Sequence, residues 1–286
     1  MKVIECPRDA MQGLGYFVPT ENKIDYINQL LTIGFDTIDF GSFVSPKAIP
    51  QMRDTATVLK GLDLDTSSSA LLAIVANLRG AKQAVAFSEI SYLGFPLSLS
   101  ETFQQRNTNR SIAEALVTVE EIQQLCIQQK RQLVTYLSMG FGNPYGEPYN
   151  PEVVADFVYK LSDLGISIVS LADTIGVGQP QNISYLFKAL IPEFPHIEFG
   201  AHFHSQPATA GEKIEAAYHA GCRRFDSALR GYGGCPMAKD ELVGNIATES
   251  LISWLESFGE KLGYSKDCLM NAIQGSEKIF IESGNQ

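Results

Sequence analysis

Eight short runs rich in β-branched and aromatic residues recur along the chain, each followed by a stretch with the apolar spacing of a helix. This alternation limits the fold more than any other feature, because strand-then-helix repeats joined by right-handed crossovers build parallel sheets covered by helices. The runs are VIECP (3–7), FDTIDF (35–40), ALLAIVA (70–76), AVAFSEI (84–90), LVTYLSM (133–139), SIVSLAD (167–173), IEFGAHFH (197–204) and RRFDSAL (223–229). Eight such units close most naturally into an α/β fold of the (β/α)8 TIM-barrel type. The alternative is an open doubly wound sheet, which would carry a glycine-rich turn after its first strand. The chain has CPRDAMQG there instead.

The helical stretches carry start and stop signals. Thr20 suits an N-cap, Ile24, Ile27 and Leu31 share a face, and Gly34 can end the helix. Asn150 caps a second helix, with Pro151 at its first position, Val154, Phe157, Val158 and Leu161 as its stripe and Gly165 as its stop. From Ser111 to Lys130, Ile112, Leu116 and Val119 line one face. No linker or composition break divides residues 1–286, so one barrel domain is expected, with the tail from about 250 onward forming extra C-terminal helices.

Composition narrows the class of partner. Net charge is −10 and no Lys/Arg run occurs, which argues against a nucleic-acid surface. No apolar stretch approaches the ~18 residues of a membrane span. Five cysteines, at 6, 126, 222, 235 and 268, have no framework spacing, and no leader-like segment precedes the first strand run. A cytoplasmic protein with free thiols is the expectation.

In a barrel of this type the chemistry lies at the C-terminal ends of the strands. The polar residues there are Arg8, Asp9 and Gln12 after the first run; Asp39 and Ser42 at the second; Ser138 at the fifth; Asp173 and Thr174 at the sixth; and His202 and His204 at the seventh. Arg230, Cys235 and Asn245 follow the eighth. His202 and His204 are two residues apart, so on a strand they share a face. Alone they read equally well as metal ligands or as structural histidines. Asp9 and Asp173, at other strand ends of a closed barrel, tip the reading toward a six-coordinate divalent ion such as Mg²⁺ or Mn²⁺, since a structural zinc site would be richer in thiolate. Arg8 is a fixed donor for an oxygen that gains negative charge. Cys235, in a glycine-flanked turn, suits a loop that brings an acid or base over the site. His196 and His219 read as structural, and Tyr136, Phe141 and Tyr145 as walls. Lys47 and Arg53 are weak candidates for phosphate contacts.

Taken together, CPRDAMQG, SFVSPKAIPQM, ADTIGVGQP, HFH and GYGGCPMAKDELVGN resemble, in order, the motifs of the 3-hydroxy-3-methylglutaryl-CoA lyase family, a branch of the DRE-TIM metallolyases. The resemblance implies a divalent metal held by Asp9, His202, His204 and Asn245. It implies that Arg8 stabilises an enolate, that the acidic residue of the second strand (Asp39) holds Arg8, and that Cys235 takes part in proton transfer. It also implies cleavage of an acyl-CoA thioester to acetyl-CoA and acetoacetate, as in leucine degradation and ketone-body formation, by a homo-oligomer, a dimer. Asp173 is a further catalytic candidate, and Gln12, Ser42 and Thr174 are candidates for substrate binding. The chain departs from the pattern in having Asp39 for glutamate, Ala10 and Ala172 for glycines, and one extra residue between Cys235 and Asn245. The alternatives are a related aldolase or condensing enzyme acting on a 2-oxo acid, and a silent metal-binding barrel.

Overall fold

The computed structural model describes residues 1–234 and 243–280. Its strands are β1 (Lys2–Glu5), β2 (Thr37–Ser42), β3 (Ala70–Ile74), β4 (Ile90–Ser98), β5 (Gln132–Ser138), β6 (Ile168–Asp173), β7 (Glu198–Phe203) and β8 (Arg224–Ser227). Each pairs in parallel with the next, and β8 returns to β1 with Ile4 opposite Asp226, so the expected barrel is closed. The helices are α1 (Pro7–Gln12), α2 (Thr20–Leu31), α3 (Thr55–Lys60), α4 (Leu78–Ala84), α5 (Glu101–Thr108), α6 (Ile112–Gln128), α7 (Pro151–Asp163), α8 (Pro180–Glu193), α9 (Pro207–His219), α10 (Thr248–Ser257) and α11 (Lys266–Phe280). None is long and apolar enough to cross a membrane.

Several helix signals act as read. Asn150 accepts from the Val153 amide at 2.9 Å, and Val154, Phe157, Val158 and Leu161 are all buried against the strands. At α6 the structure adds a signal that was not read from the sequence, a reciprocal capping box between Ser111 and Glu114. Gly34 and Gly165 follow their helices with φ of +98° and +75°.

Three expectations need correction. Thr20 does not cap α2: it is already helical, Pro19 takes the cap position, and the Thr20 hydroxyl donates to Asp54 at 2.8 Å instead. The fourth strand is not 84–90 but Ile90–Ser98. AVAFSEI is the end of α4 and the turn after it, while the true strand holds Gly94 and Pro96, two residues that sequence reading discounts in strands. Gly94 is required by packing: a Cβ there would lie 2.5 Å from Ile74 Cδ1. Finally, only α11 is additional. It packs on α2, whereas α10 follows β8, packs on α9 and is the eighth helix of the barrel.

The interior is divided. Leu72, Ile74, Val134, Tyr136 and Ile168, from β3, β5 and β6, form a small apolar cluster separate from the large core between strands and helices. The opposite side, from β7 through β8 and β1 to β2, buries His202, Arg224, Asp226 and Asp39. Burying so many ionisable groups stabilises nothing unless they are paired. Their pairing defines the site.

Candidate active site

Arg8 leaves the barrel at the start of α1, one residue after Pro7 sets the first turn. Its Nε and Nη2 donate to Asp39 Oδ2 at 3.0 and 2.6 Å, Nε also reaches Oδ1 at 3.3 Å, and Nη1 donates to Asp9 Oδ1 at 3.0 Å. Among the described residues this engages three of the five guanidinium N–H groups and leaves two for a ligand. Burial opposes the charge, but Asp39 and Asp9 outweigh it and hold the guanidinium protonated. Burial likewise pushes the Asp39 carboxyl up to about 6 against the pull of Arg8, so the group is ionised at neutral pH.

Asp9 is the hub of the site. Its Oδ1 also accepts from Gln12 Nε2 at 2.7 Å, and its Oδ2 accepts from Asn245 Nδ2 at 2.7 Å. Burial raises its pKa, but Arg8, the two histidines and Asn245 overcome this and bring it to about 2. Asp9, His202 and His204 each present a ligand atom within 4.8 Å of the other two. The two imidazoles lie 5.1 Å apart by ring centroid, as their i, i+2 spacing requires.

His202 Nδ1 is 3.0 Å from Asp226 Oδ2, which leaves Nε2 for the cluster. Burial disfavours its charged form, but Asp226 and Asp9 raise its pKa overall. For His204, burial and the neighbouring His202 push the pKa down to about 4, so that ring is neutral. Its buried Nδ1 has no hydrogen-bond partner among the described residues. An orphaned imidazole nitrogen beside an ionised carboxylate, a second imidazole and an amide is a donor set that fits a divalent cation. Asn245 is brought in by an antiparallel bridge to His204, and its Nδ2 also donates to Tyr232 O at 2.9 Å. Gly233 lies beneath that turn with φ +106°, and a Cβ there would fall 2.6 Å from Asn245 Nδ2.

A cavity of about 420 Å³ opens over this cluster; Gln12, Ser42, Ser138 and Thr174 all line it. The Thr174 hydroxyl accepts from the Met139 amide at 2.9 Å, while Ser42 Oγ is buried without a partner among the described residues. The long stretch after β2 supplies one wall through Val44, Ser45, Ala48 and Ile49. It is anchored from behind: Gln51 accepts from Val18 N at 2.9 Å and donates to Tyr16 O at 2.7 Å.

Asp173 does not join the cluster, contrary to the sequence reading. Its carboxylate points away from the cavity to Lys213 Nζ at 2.6 Å and the Gly178 amide at 3.0 Å. It is the last residue of β6, and the neighbouring interior positions of that strand belong to Ser170 and Ala172. Lys213 also donates to His204 O and Gly176 O, so the pair ties two active-site loops to α9. Cys235 lies outside the described residues. His196 contacts Ser162 and His219 lies near Glu215, both on the outer layer.

Sequence reasoning missed Asp226, Lys213 and the cavity residues Asn107 and Arg110. Asp226 could have been found, since it shares a strand face with Arg224 two residues earlier. Lys213 could not, because a lysine on an amphipathic helix ordinarily reads as surface.

Comparison with known proteins agrees with this geometry. The HMGL-like family model matches residues 4–274. A hydroxymethylglutaryl-CoA lyase of Bacillus subtilis is 35% identical over 274 residues, covering 95% of this chain and 90% of that protein. The cytoplasmic 3-hydroxy-3-methylglutaryl-CoA lyase of Rattus norvegicus is 34% identical, covering 95% and 79% respectively. Among solved structures, an HMG-CoA lyase from Acinetobacter baumannii in complex with coenzyme A and 3-methylmalate superposes with a TM-score of 0.90 at 34% identity, covering 98% of this chain and 90% of that one. The family model spans nearly the whole of this closed barrel, and the chain belongs to the HMGL-like family.

Proposed function

We propose that the protein is a divalent-metal-dependent carbon–carbon lyase that cleaves 3-hydroxy-3-methylglutaryl-CoA to acetyl-CoA and acetoacetate. The observation that carries this reading is the juxtaposition, in one cavity, of the Asp9–His202–His204 cluster with a charged guanidinium that has two N–H groups unengaged among the described residues. Similarity over nearly the whole length to proteins named for this reaction supports the substrate.

Asp9, His202, His204 and Asn245 would hold the ion, Mg²⁺ or Mn²⁺. When bound, it supplies Lewis acidity that makes the tertiary hydroxyl of the substrate easier to deprotonate. The chain's own residues do the rest. Asp9 and His202 are the two candidates for taking the hydroxyl proton, His202 only with its Nε2 off the ion, since its Nδ1 is engaged by Asp226. Loss of that proton lets the bond between C2 and C3 break: C3 becomes the ketone of acetoacetate, and the electron pair passes to the thioester as an enolate. Arg8 donates its two free N–H groups to the enolate oxygen, in a buried setting where such donors act strongly. Asp39 aims Arg8 and Asp226 fixes the ring of His202. Cys235 returns a proton to the carbon that becomes the acetyl methyl group. Gln12 orients Asp9, while Ser42 and Thr174 contact the substrate. Asp173 takes a positioning role behind His204 rather than a catalytic one.

An aldolase acting on a 2-oxo acid is less well supported, since the named relatives spanning the chain are lyases. A silent barrel gives no reason to bury an arginine between two carboxylates. We propose a cytoplasmic homodimer, the free state of Cys6, Cys126, Cys222 and Cys268 supporting the compartment. The test is acetyl-CoA release from 3-hydroxy-3-methylglutaryl-CoA after chelation, with and without added Mg²⁺ or Mn²⁺. Metal-dependent release is expected. No release from folded, metal-loaded protein would refute the substrate assignment.

A further inference from the structure

The wall of the cavity is chemically mixed. It holds Arg8 with Asp9, His202 and His204, the apolar Val44, Ile49 and Phe103, and a polar pair, Asn107 from the last turn of α5 and Arg110 from the connection between α5 and α6. Arg8 is neutralised by two carboxylates, but Arg110 forms no ion pair among the described residues, and its Nη1 donates to the neutral hydroxyl of Thr118. Glu114 lies nearby, but its Oε2 accepts from the backbone amide and hydroxyl of Ser111 at 2.8 and 2.9 Å. The N-terminus of α6 is therefore capped from within. The half-buried Asn107 amide has no hydrogen-bond partner among the described residues. Lys47 and Arg53, the cations that the sequence offered for phosphate, do not line this cavity; Arg53 lies over the Phe17 ring, 3.6 Å from its centroid.

A guanidinium that makes no salt bridge among the described residues, although Glu114 lies within its electrostatic reach, and an amide without a partner among them, on the wall of a mainly apolar cavity, are what a binding site uses to fix the orientation of a charged ligand. We propose that Arg110 and Asn107 form an anion subsite that holds a negatively charged group of the substrate away from the reacting carbons. This rests on the acyl-CoA reading above. Two anions on such a substrate share the required chemistry: the terminal carboxylate of the acyl chain and a phosphate of coenzyme A. The subsite would set affinity and substrate choice without touching the bond that breaks.

The experiment compares wild type, Arg110→Gln, Arg110→Lys and Asn107→Asp on 3-hydroxy-3-methylglutaryl-CoA and on the N-acetylcysteamine thioester of the same acid, which has no phosphate. For R110Q with the coenzyme A substrate, KM should rise about tenfold, the factor for one lost charge-assisted hydrogen bond, with kcat within about twofold. R110K should recover most of the loss, and N107D, which adds a like charge, should reproduce it. A penalty that vanishes with the short thioester assigns the anion as phosphate; one that persists assigns it as carboxylate. Calorimetric binding of coenzyme A and of 3-hydroxy-3-methylglutarate to the same variants tests the subsite independently of turnover, so that an inactive wild type would sink the lyase reading alone. R110Q with KM within about twofold on both thioesters, and unchanged binding of both ligands, would overturn the subsite. A fall in kcat with KM unchanged would overturn it too.

Discussion

Asp39 offers a sharp separation of stability from activity. Together with Arg8 and Asp9 it makes a buried triad carrying one positive and two negative charges. Burial is the dominant influence on Asp39 and lifts its pKa from 3.8 to about 6, so keeping it ionised at pH 7 costs the fold on the order of 3 kcal/mol. Breaking a buried ion pair is ordinarily costly because one charge is stranded. Here Asp39→Asn leaves Arg8 still paired with Asp9 at 3.0 Å, and the remaining pair is neutral. The substitution should therefore leave thermal stability within a few degrees of wild type, or raise it. Activity should respond in the opposite sense. Three contacts hold Arg8 to Asp39, and an amide cannot accept from Nε and Nη2 with the strength of a carboxylate. Under the proposed mechanism Arg8 is the enolate donor, and misdirecting it costs about 10²–10³ in kcat/KM.

The pH dependence follows from the same shift. Because the folded pKa is above the unfolded one, the native state binds the extra proton between pH 6 and 4. This group's contribution to stability therefore rises as pH falls through that window. Protonation also loosens Arg8, so wild-type kcat/KM should fall below about pH 6 while the fold gains from this group. Both responses should be absent in D39N. The assays are thermal unfolding and acetyl-CoA release, each measured from pH 5 to 8. A D39N protein that unfolds ten or more degrees lower, or that keeps a third of wild-type kcat/KM, would refute the reasoning.

Other consequences can be checked in parallel. Asp226→Ala frees the His202 ring, and Mn²⁺ affinity read by titration should weaken about 10–100-fold, whereas unchanged affinity would remove Asp226 from the site. Lys213→Met strands the buried Asp173 carboxylate and cuts the tie to His204 O. We expect about 3–5 kcal/mol of lost stability in thermal unfolding, and a loss below 1 kcal/mol would contradict the pairing. Gly233→Ala demands a left-handed backbone of a residue that disfavours it and drives a methyl into Asn245, so metal binding should weaken more than stability does. Cys235→Ala should abolish turnover with Mn²⁺ affinity unchanged; full turnover would remove Cys235 from the reaction.

Which features could be read from the sequence follows the range of the interactions that create them. Alternation of strand and helix, and caps such as Asn150–Pro151, are local: each depends on a few neighbouring residues, and the Asn150 cap is where the pattern put it, whereas Thr20 is drawn off its cap role by a distant partner, Asp54. Strand β4 escaped because its Gly94 and Pro96 answer to tertiary demands, the glycine making room for Ile74 from β3. The site divides the same way. Arg8, Asp9, His202 and His204 were found because barrel closure brings strand ends together whatever the intervening sequence. Position at a strand end is not sufficient, however. Asp173 satisfies it as well as Asp9 does, yet the side chain at the last residue of β6 turns outward to Lys213. A strand gives two faces, and only one of them sees the cavity. That parity was legible for His202 and His204 as a pair, and had it been carried to β8 it would have placed Asp226 beneath His202. Arg110 is different in kind: it stands in a helix connection with no period, so only the folded cavity wall reveals it, and loops of this sort are where substrate choice can change while the barrel and its Asp9–His202–His204 cluster stay fixed.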